Sequence, residues 1–128
     1  MATSSASFHE SAEDLAPSTR EMHRALVSLM EELEAIDWYQ QRVDASKDAE
    51  LREILQHNRD EEKEHAAMVL EWIRRRDPGF DRMLRTYLFT EGRIIERESS
   101  AGASAEAGSA GISTAAPPLL LGSLRGRQ

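Results

Sequence analysis

In the stretch RDEEKEHAAM, residues 59–68, Glu62 and His65 form a Glu-x-x-His pair. Three residues apart on a helix, both side chains leave one face and can reach a common cation. Carboxylate oxygens with one imidazole suit Fe(II), and hard oxygen donors stabilise Fe(III) further, although manganese or zinc could take the same ligands. Cysteine is absent, so thiolate metal sites and disulfides are both excluded. On its own, such a pair in an acidic helix is a solvated face. Its place on an apolar stripe changes that reading, because ionised carboxylates buried without a partner are costly and a cation would offset the cost.

The elements that must position the pair are two long helices. Pro17 followed by STRE predicts a capping box, with Ser18 as N-cap and Glu21 three residues on. Met22, Leu26, Leu29, Leu33, Ile36, Gln40 and Val43 then recur at steps of four and three, an amphipathic helix to about residue 43. Glu32 lies at the border of that stripe. After DASKDAE, Asp48 can cap a second helix, with Glu50 in its first turn. Its stripe runs Leu51, Leu55, Asn58, Glu62, His65, Val69 and Trp72, so three successive inner positions are polar. Arg74, Arg75 and Arg76 suit its carboxyl end, and DPG at 77–79 stops it. A short third helix over about 80–90 offers Phe80, Leu84, Tyr87 and Leu88, and Gly92 closes the compact region. Trp72 is read as core, and His23 as structural.

One Glu plus one Glu-x-x-His is half of a di-iron carboxylate centre, which in a four-helix bundle draws a Glu from each of two helices and a Glu-x-x-His from each of the others. No internal repeat supplies the other half. A twofold homodimer would, and pairing two hairpins would also bury their apolar stripes. The expected fold is therefore all-α: a two-helix antiparallel hairpin with a short third helix, dimerising into a ferritin-like four-helix bundle.

Around this domain (17–92), residues 1–16 are small, polar and aperiodic, a disordered leader whose only histidine is His9. Residues 93–118 are a flexible linker, rich in Ala, Gly, Ser, Thr and Pro. The end, LLLGSLRGRQ at 119–128, joins leucine anchors to a polar linker, which suits a docking peptide.

MEELEAIDWYQQRVDAS (30–46), HNRDEEKEHAAMVLEW (57–72) and RTYLFTEG (85–92) resemble the encapsulated ferritins, short ferritin-like proteins carried inside encapsulin nanocompartments. LGSLR at 121–125 is similar to the peptide that docks such cargo on the shell. The resemblance implies a ferroxidase with a di-iron site built at a dimer interface from Glu32, Glu62 and His65 of each subunit. It also implies dimers closing into a ring-shaped decamer, and a secondary metal-attracting site at Glu31, Glu34 and Trp38. Those three positions share one helix face, equally consistent with an exposed acidic surface and one aromatic. Tyr39, seven residues after Glu32, could hydrogen-bond a metal ligand or sit in the core with its hydroxyl satisfied. His57, Glu61 and Glu64 flank the main site and could hold calcium or iron between subunits; a solvated face is the simpler reading.

Charge and composition narrow the partners. The net charge is −7, with 12 Lys and Arg against 20 Asp and Glu in residues 1–92. Nucleic acid is disfavoured by that balance, and cations are favoured. No stretch approaches the roughly 20 apolar residues of a membrane span, and no secretory signal is evident, so a cytoplasmic location is expected, which the resemblance narrows to the inside of an encapsulin compartment. An O2 carrier of the hemerythrin type would need more histidines per metal. The alternative kept is a non-catalytic metal-binding helical oligomer or adaptor, which does not by itself require Glu62 and His65 on the stripe.

Overall fold

The structure is a computed structural model that describes residues 6–99. The linker beyond residue 99 and the 119–128 peptide lie outside the described residues. The described residues form helices, turns and loops without a strand: α1 (Pro17–Ala45), α2 (Ala49–Arg76) and α3 (Pro78–Tyr87), with single 3-10 turns at Ala12–Asp14 and Ile94–Glu96. None of these helices is long and apolar enough to cross a membrane. At about 1.5 Å per residue, α1 and α2 are each roughly 43 Å long. Three residues, 46–48, join them, and so short a connection makes consecutive helices antiparallel neighbours.

Two ends of this hairpin follow the sequence reading and one does not. Asp48 caps α2, its carboxylate accepting from the Leu51 N–H at 2.7 Å, and Arg74, Arg75 and Arg76 occupy the last turn. Asp77 both ends α2 and accepts the Phe80 N–H at 3.0 Å, so one residue terminates a helix and starts the next. The capping box does not form. Pro17 takes the first helical position, which makes Ala16 the N-cap without a side-chain bond, and Glu21 pairs with Arg24 instead. Proline suits that position because its missing N–H would have no helical partner there.

The segment before α1 differs from the mobile leader expected. Phe8 packs against the His23 ring with centroids 4.5 Å apart, and His23 Nε2 lies 3.0 Å from the Ala6 carbonyl oxygen. His23 thus has the structural role anticipated, with partners supplied by the leader.

The inner seam of α2 is rotated from its predicted stripe. Among the described residues the buried apolar side chains are Val43, Ala66 and Ile73, and Ile73 is 0% exposed. Ala66 and Ile73 each follow a predicted stripe residue, His65 and Trp72, by one position, and each step turns a helix by about 100°. Trp72 is consequently half-buried rather than core, with the Arg76 guanidinium 4.6 Å above its ring. Leu26, Met30, Leu33, Leu51, Ile54 and Met68 all remain exposed. A hairpin this poorly covered buries too little apolar surface to be stable alone, since small folds already sit near the limit.

The described residues divide into two units, one up to Leu84 and one from Arg85. In the second, α3 stops at Tyr87, earlier than expected, and Phe89 adopts a positive φ of 56°, as does Gly92 at 83°. A left-handed residue after a helix ends it by turning its backbone out of the helical path. Thr90 Oγ1 donates to the Tyr87 carbonyl at 2.8 Å, and the Arg97 guanidinium donates to the Glu91 carbonyl at 2.7 Å.

Candidate metal centre

Glu32 comes from the middle of α1, Glu62 and His65 from the middle of α2, and the antiparallel hairpin brings them level. Each offers a ligand atom, and these atoms all lie within 4.8 Å of one another. The His65 Nδ1 is 3.3 Å from Glu62 Oε2 on its own helix and 3.7 Å from Glu32 Oε2 on the other. The side chains are 25%, 22% and 43% exposed for Glu32, Glu62 and His65. Because the seam passes through Ala66, His65 is turned to the open edge of the hairpin and not into its interior. The three groups face a surface that this chain leaves uncovered.

The electrostatics are those of acids crowded together without a counter-cation. The Glu32 and Glu62 carboxyl groups are close enough to share a hydrogen bond. It raises the pKa of Glu32, and partial burial and the Glu62 charge push the same way. The same hydrogen bond lowers Glu62, which the bond from His65 lowers further. His65 is raised above 6.5, chiefly by its bond to Glu62 and also by the Glu32 charge. A cation held by all three groups would offset the repulsion between the two carboxylates. Two carboxylates and one imidazole fit iron, manganese or zinc as donors.

The other predicted residues are placed differently. Among the described residues, neither Glu31 and Glu34 nor His57, Glu61 and Glu64 converge into a comparable group of three ligands within one chain. Glu31 and Glu34 are exposed, and Trp38 is 52% exposed on the same helix. Tyr39 is half-buried, with Arg42 stacked 5.3 Å from its ring centroid. His57 and Glu61 form a local pair at 3.5 Å, and Glu64 is exposed.

Sequence reasoning passed over one residue at the seam. Arg59 donates to Gln40 Oε1 at 2.6 Å, from α2 to α1. A signal was available: Gln40 is a polar residue on the α1 stripe, and Arg59, Ala66 and Ile73 follow one another at intervals of seven, a spacing that keeps residues on one face.

The EncFtn-like family model matches residues 7–91. The chain is 64% identical to an encapsulated ferritin-like protein of Rhodospirillum rubrum, over 80% of this chain and 74% of that one. It is 54% identical to a ferritin-like protein of Thermotoga maritima, over 82% and 94% of the two chains. With an encapsulin nanocompartment cargo protein of Myxococcus xanthus it shares 36% identity over 73% and 76%. A crystal structure of a Nitrosomonas europaea protein superposes with a TM-score of 0.66 at 63% identity, covering 68% of this chain and 96% of that one.

Proposed function

The chain belongs to the EncFtn-like family, the encapsulated ferritins, and from that membership we propose that it is a ferroxidase, oxidising Fe(II) to Fe(III) as cargo of an encapsulin compartment. The observation that carries this reading is the convergence of Glu32, Glu62 and His65 on an uncovered face. Three ligands from one chain are half of a di-iron carboxylate set. A second copy, related by a twofold axis, would add the same three and cover the apolar side chains beside them. Dimers would then assemble further into the ring-shaped decamer that the resemblance implies.

Iron bound there supplies a one-electron couple, with dioxygen as the electron acceptor. The protein's own contribution is to gather and neutralise charge. Glu32 and Glu62, once ionised, present two negative charges to incoming Fe(II). His65, once neutral, offers the Nδ1 lone pair, and its tautomer is selected by what the other ring nitrogen meets. The net acidity of residues 1–92 favours the approach of cations over anions. Glu31, Glu34 and Trp38 form the attracting surface on the way in, while His57, Glu61 and Glu64 form a solvated face with a local His57–Glu61 pair. The peptide at 119–128 docks the assembly on the shell wall.

Ferrous ion mixed with the purified full-length protein in air tests the central claim. Ferric absorbance should rise well above the buffer rate in wild type and fall to near the buffer rate in Glu62→Ala. Equal rates in the two proteins would overturn it, leaving a non-catalytic metal-binding oligomer.

A further inference from the structure

Arg59 is polar, always charged, and only 19% exposed on the seam between α1 and α2. Its Nη1 donates to Gln40 Oε1 at 2.6 Å, its Nε donates to Asp60 Oδ1 at 3.0 Å, and Gln40 Nε2 in turn donates to Asp44 Oδ1 at 3.0 Å. A hydrogen-bonded chain therefore runs from α1 across to α2, ending in a carboxylate on each helix.

The axial geometry explains why an arginine spans this gap. Gln40 is eight residues beyond Glu32, about 12 Å along α1, whereas Arg59 is three residues before Glu62, about 4.5 Å along α2 in the same direction. The difference, roughly 7 to 8 Å by the same rise, is bridged by a long side chain. Helical side chains lean toward their own N-terminus, which for Arg59 is the direction of Gln40.

The apolar contacts on this seam cannot fix the same quantity. Val43, Ala66 and Ile73 bury apolar surface, and apolar attraction is non-directional, so it tolerates a small slide of one helix along the other. A slide of one residue is about 1.5 Å, several times the roughly 0.5 Å within which ligand constellations must be held. A short hydrogen bond to a planar guanidinium resists that slide.

We propose that Arg59 is a positioning residue whose bond to Gln40 sets the axial register of α1 against α2, and with it the separation of Glu32 from Glu62 and His65. The inference rests on the metal-site reading for its consequence, and on the hairpin alone for its geometry, so two measurements separate them. The first needs no metal. Absence of native cysteine allows spin labels at Asp37→Cys and Lys63→Cys, and dilution with unlabelled protein isolates the distance within one chain.

In full-length protein, Arg59→Met, of similar reach but without donors, should measurably shift or broaden the inter-label distance, by up to about 1.5 Å for one residue of slip. Gln40→Glu, which keeps the acceptor, should not. The second measurement is Co(II) titration followed by visible absorption. Arg59→Met should bind about tenfold more weakly, the lower end for residues that orient metal ligands, with an altered spectrum. Gln40→Glu should keep the wild-type spectrum, and Arg59→Met combined with Gln40→Leu should be no worse than either alone. An unchanged label distance in Arg59→Met overturns the positioning role, whether or not metal binds. Co(II) binding unaffected by Glu62→Ala overturns the metal site separately, while the label distance still decides the role of Arg59.

Discussion

Glu32 of α1 and His65 of α2 face each other across the hairpin, His65 Nδ1 lying 3.7 Å from Glu32 Oε2, with the Glu62 carboxylate in the same group of ligand atoms within 4.8 Å. Two acids from different helices do not adopt that arrangement by apolar packing. They are held there by the register of the hairpin, and a cation among them would offset the repulsion between the two carboxylates. The expectations below follow from this contact and from the uncovered face beside it.

Metal and assembly should be linked. If a complete site needs two copies, an ion binding only the dimer stabilises it by about 2.7 kcal/mol when its free concentration is 100 times Kd. Native mass spectrometry should show Fe(II) driving monomer into larger species. Monomers carrying two irons each would contradict the half-site.

Ligand variants should be severe because each substitution removes two ligands from a shared centre. Glu32→Ala, Glu62→Ala and His65→Ala should each reduce the ferrous oxidation rate by more than about tenfold, since altering mere supporting residues at metal sites costs about 10- to 100-fold. Glu31→Ala and Glu34→Ala should slow uptake while leaving the centre able to form. Stopped-flow absorbance separates the two phases.

Metal affinity should fall with acid, and the sign is opposite to that of the apo protein. His65 is raised above 6.5, so in the metal-free chain its contacts with Glu62 and Glu32 stabilise most below 6.5 and are lost as pH rises through the raised value. A metal ion needs the unprotonated ring, and the raised pKa of Glu32 acts in the same direction. Calorimetric titration with Co(II) should therefore show affinity climbing from pH 6 to pH 8 with release of protons. Affinity independent of pH over that range would exclude His65 as a ligand.

Glu71 should stay ionised far into acid. Arg74 donates to both its carboxylate oxygens, at 2.6 and 2.8 Å, and Arg75 adds a third bond at 2.7 Å, which together lower its pKa from 4.5 to about 2. The resulting stabilisation is present above the unfolded value near 4.5 and disappears as pH falls through about 2. Glu71→Gln should lower Tm at pH 7, and the difference from wild type should shrink toward zero by pH 2. Arg74 also binds Asp81 at 2.5 Å, so the substitution should loosen the start of α3 in hydrogen exchange.

Deleting residues 119–128 should leave ferrous oxidation and oligomerisation intact but abolish co-purification with a co-expressed encapsulin shell. A linker of about 20 residues reaches on the order of 25 Å by random-coil scaling, and several tails on one oligomer would bind with avidity. Packaging at the normal level without the peptide would overturn the docking role.

The sequence by itself determined the helices and singled out Glu32, Glu62 and His65, the three residues that converge. Asp48 and the Arg74–Arg76 run mark the ends of α2 through local hydrogen bonding and the helix dipole, interactions spanning only a turn. Glu-x-x-His is likewise local, because a spacing of three fixes both side chains to one face. What only the tertiary structure decided is which side of α2 packs on α1. Leu51, Leu55, Val69 and Trp72 outweigh Ala66 in any apolar pattern, yet Ala66 and Ile73 make the seam. A helix with apolar residues on more than one side has no unique inner face until a neighbour is present, and one position is about 100° of rotation. That rotation moves His65 from an improbable core to an open edge, and it puts Arg59 on the seam where Gln40 can meet it.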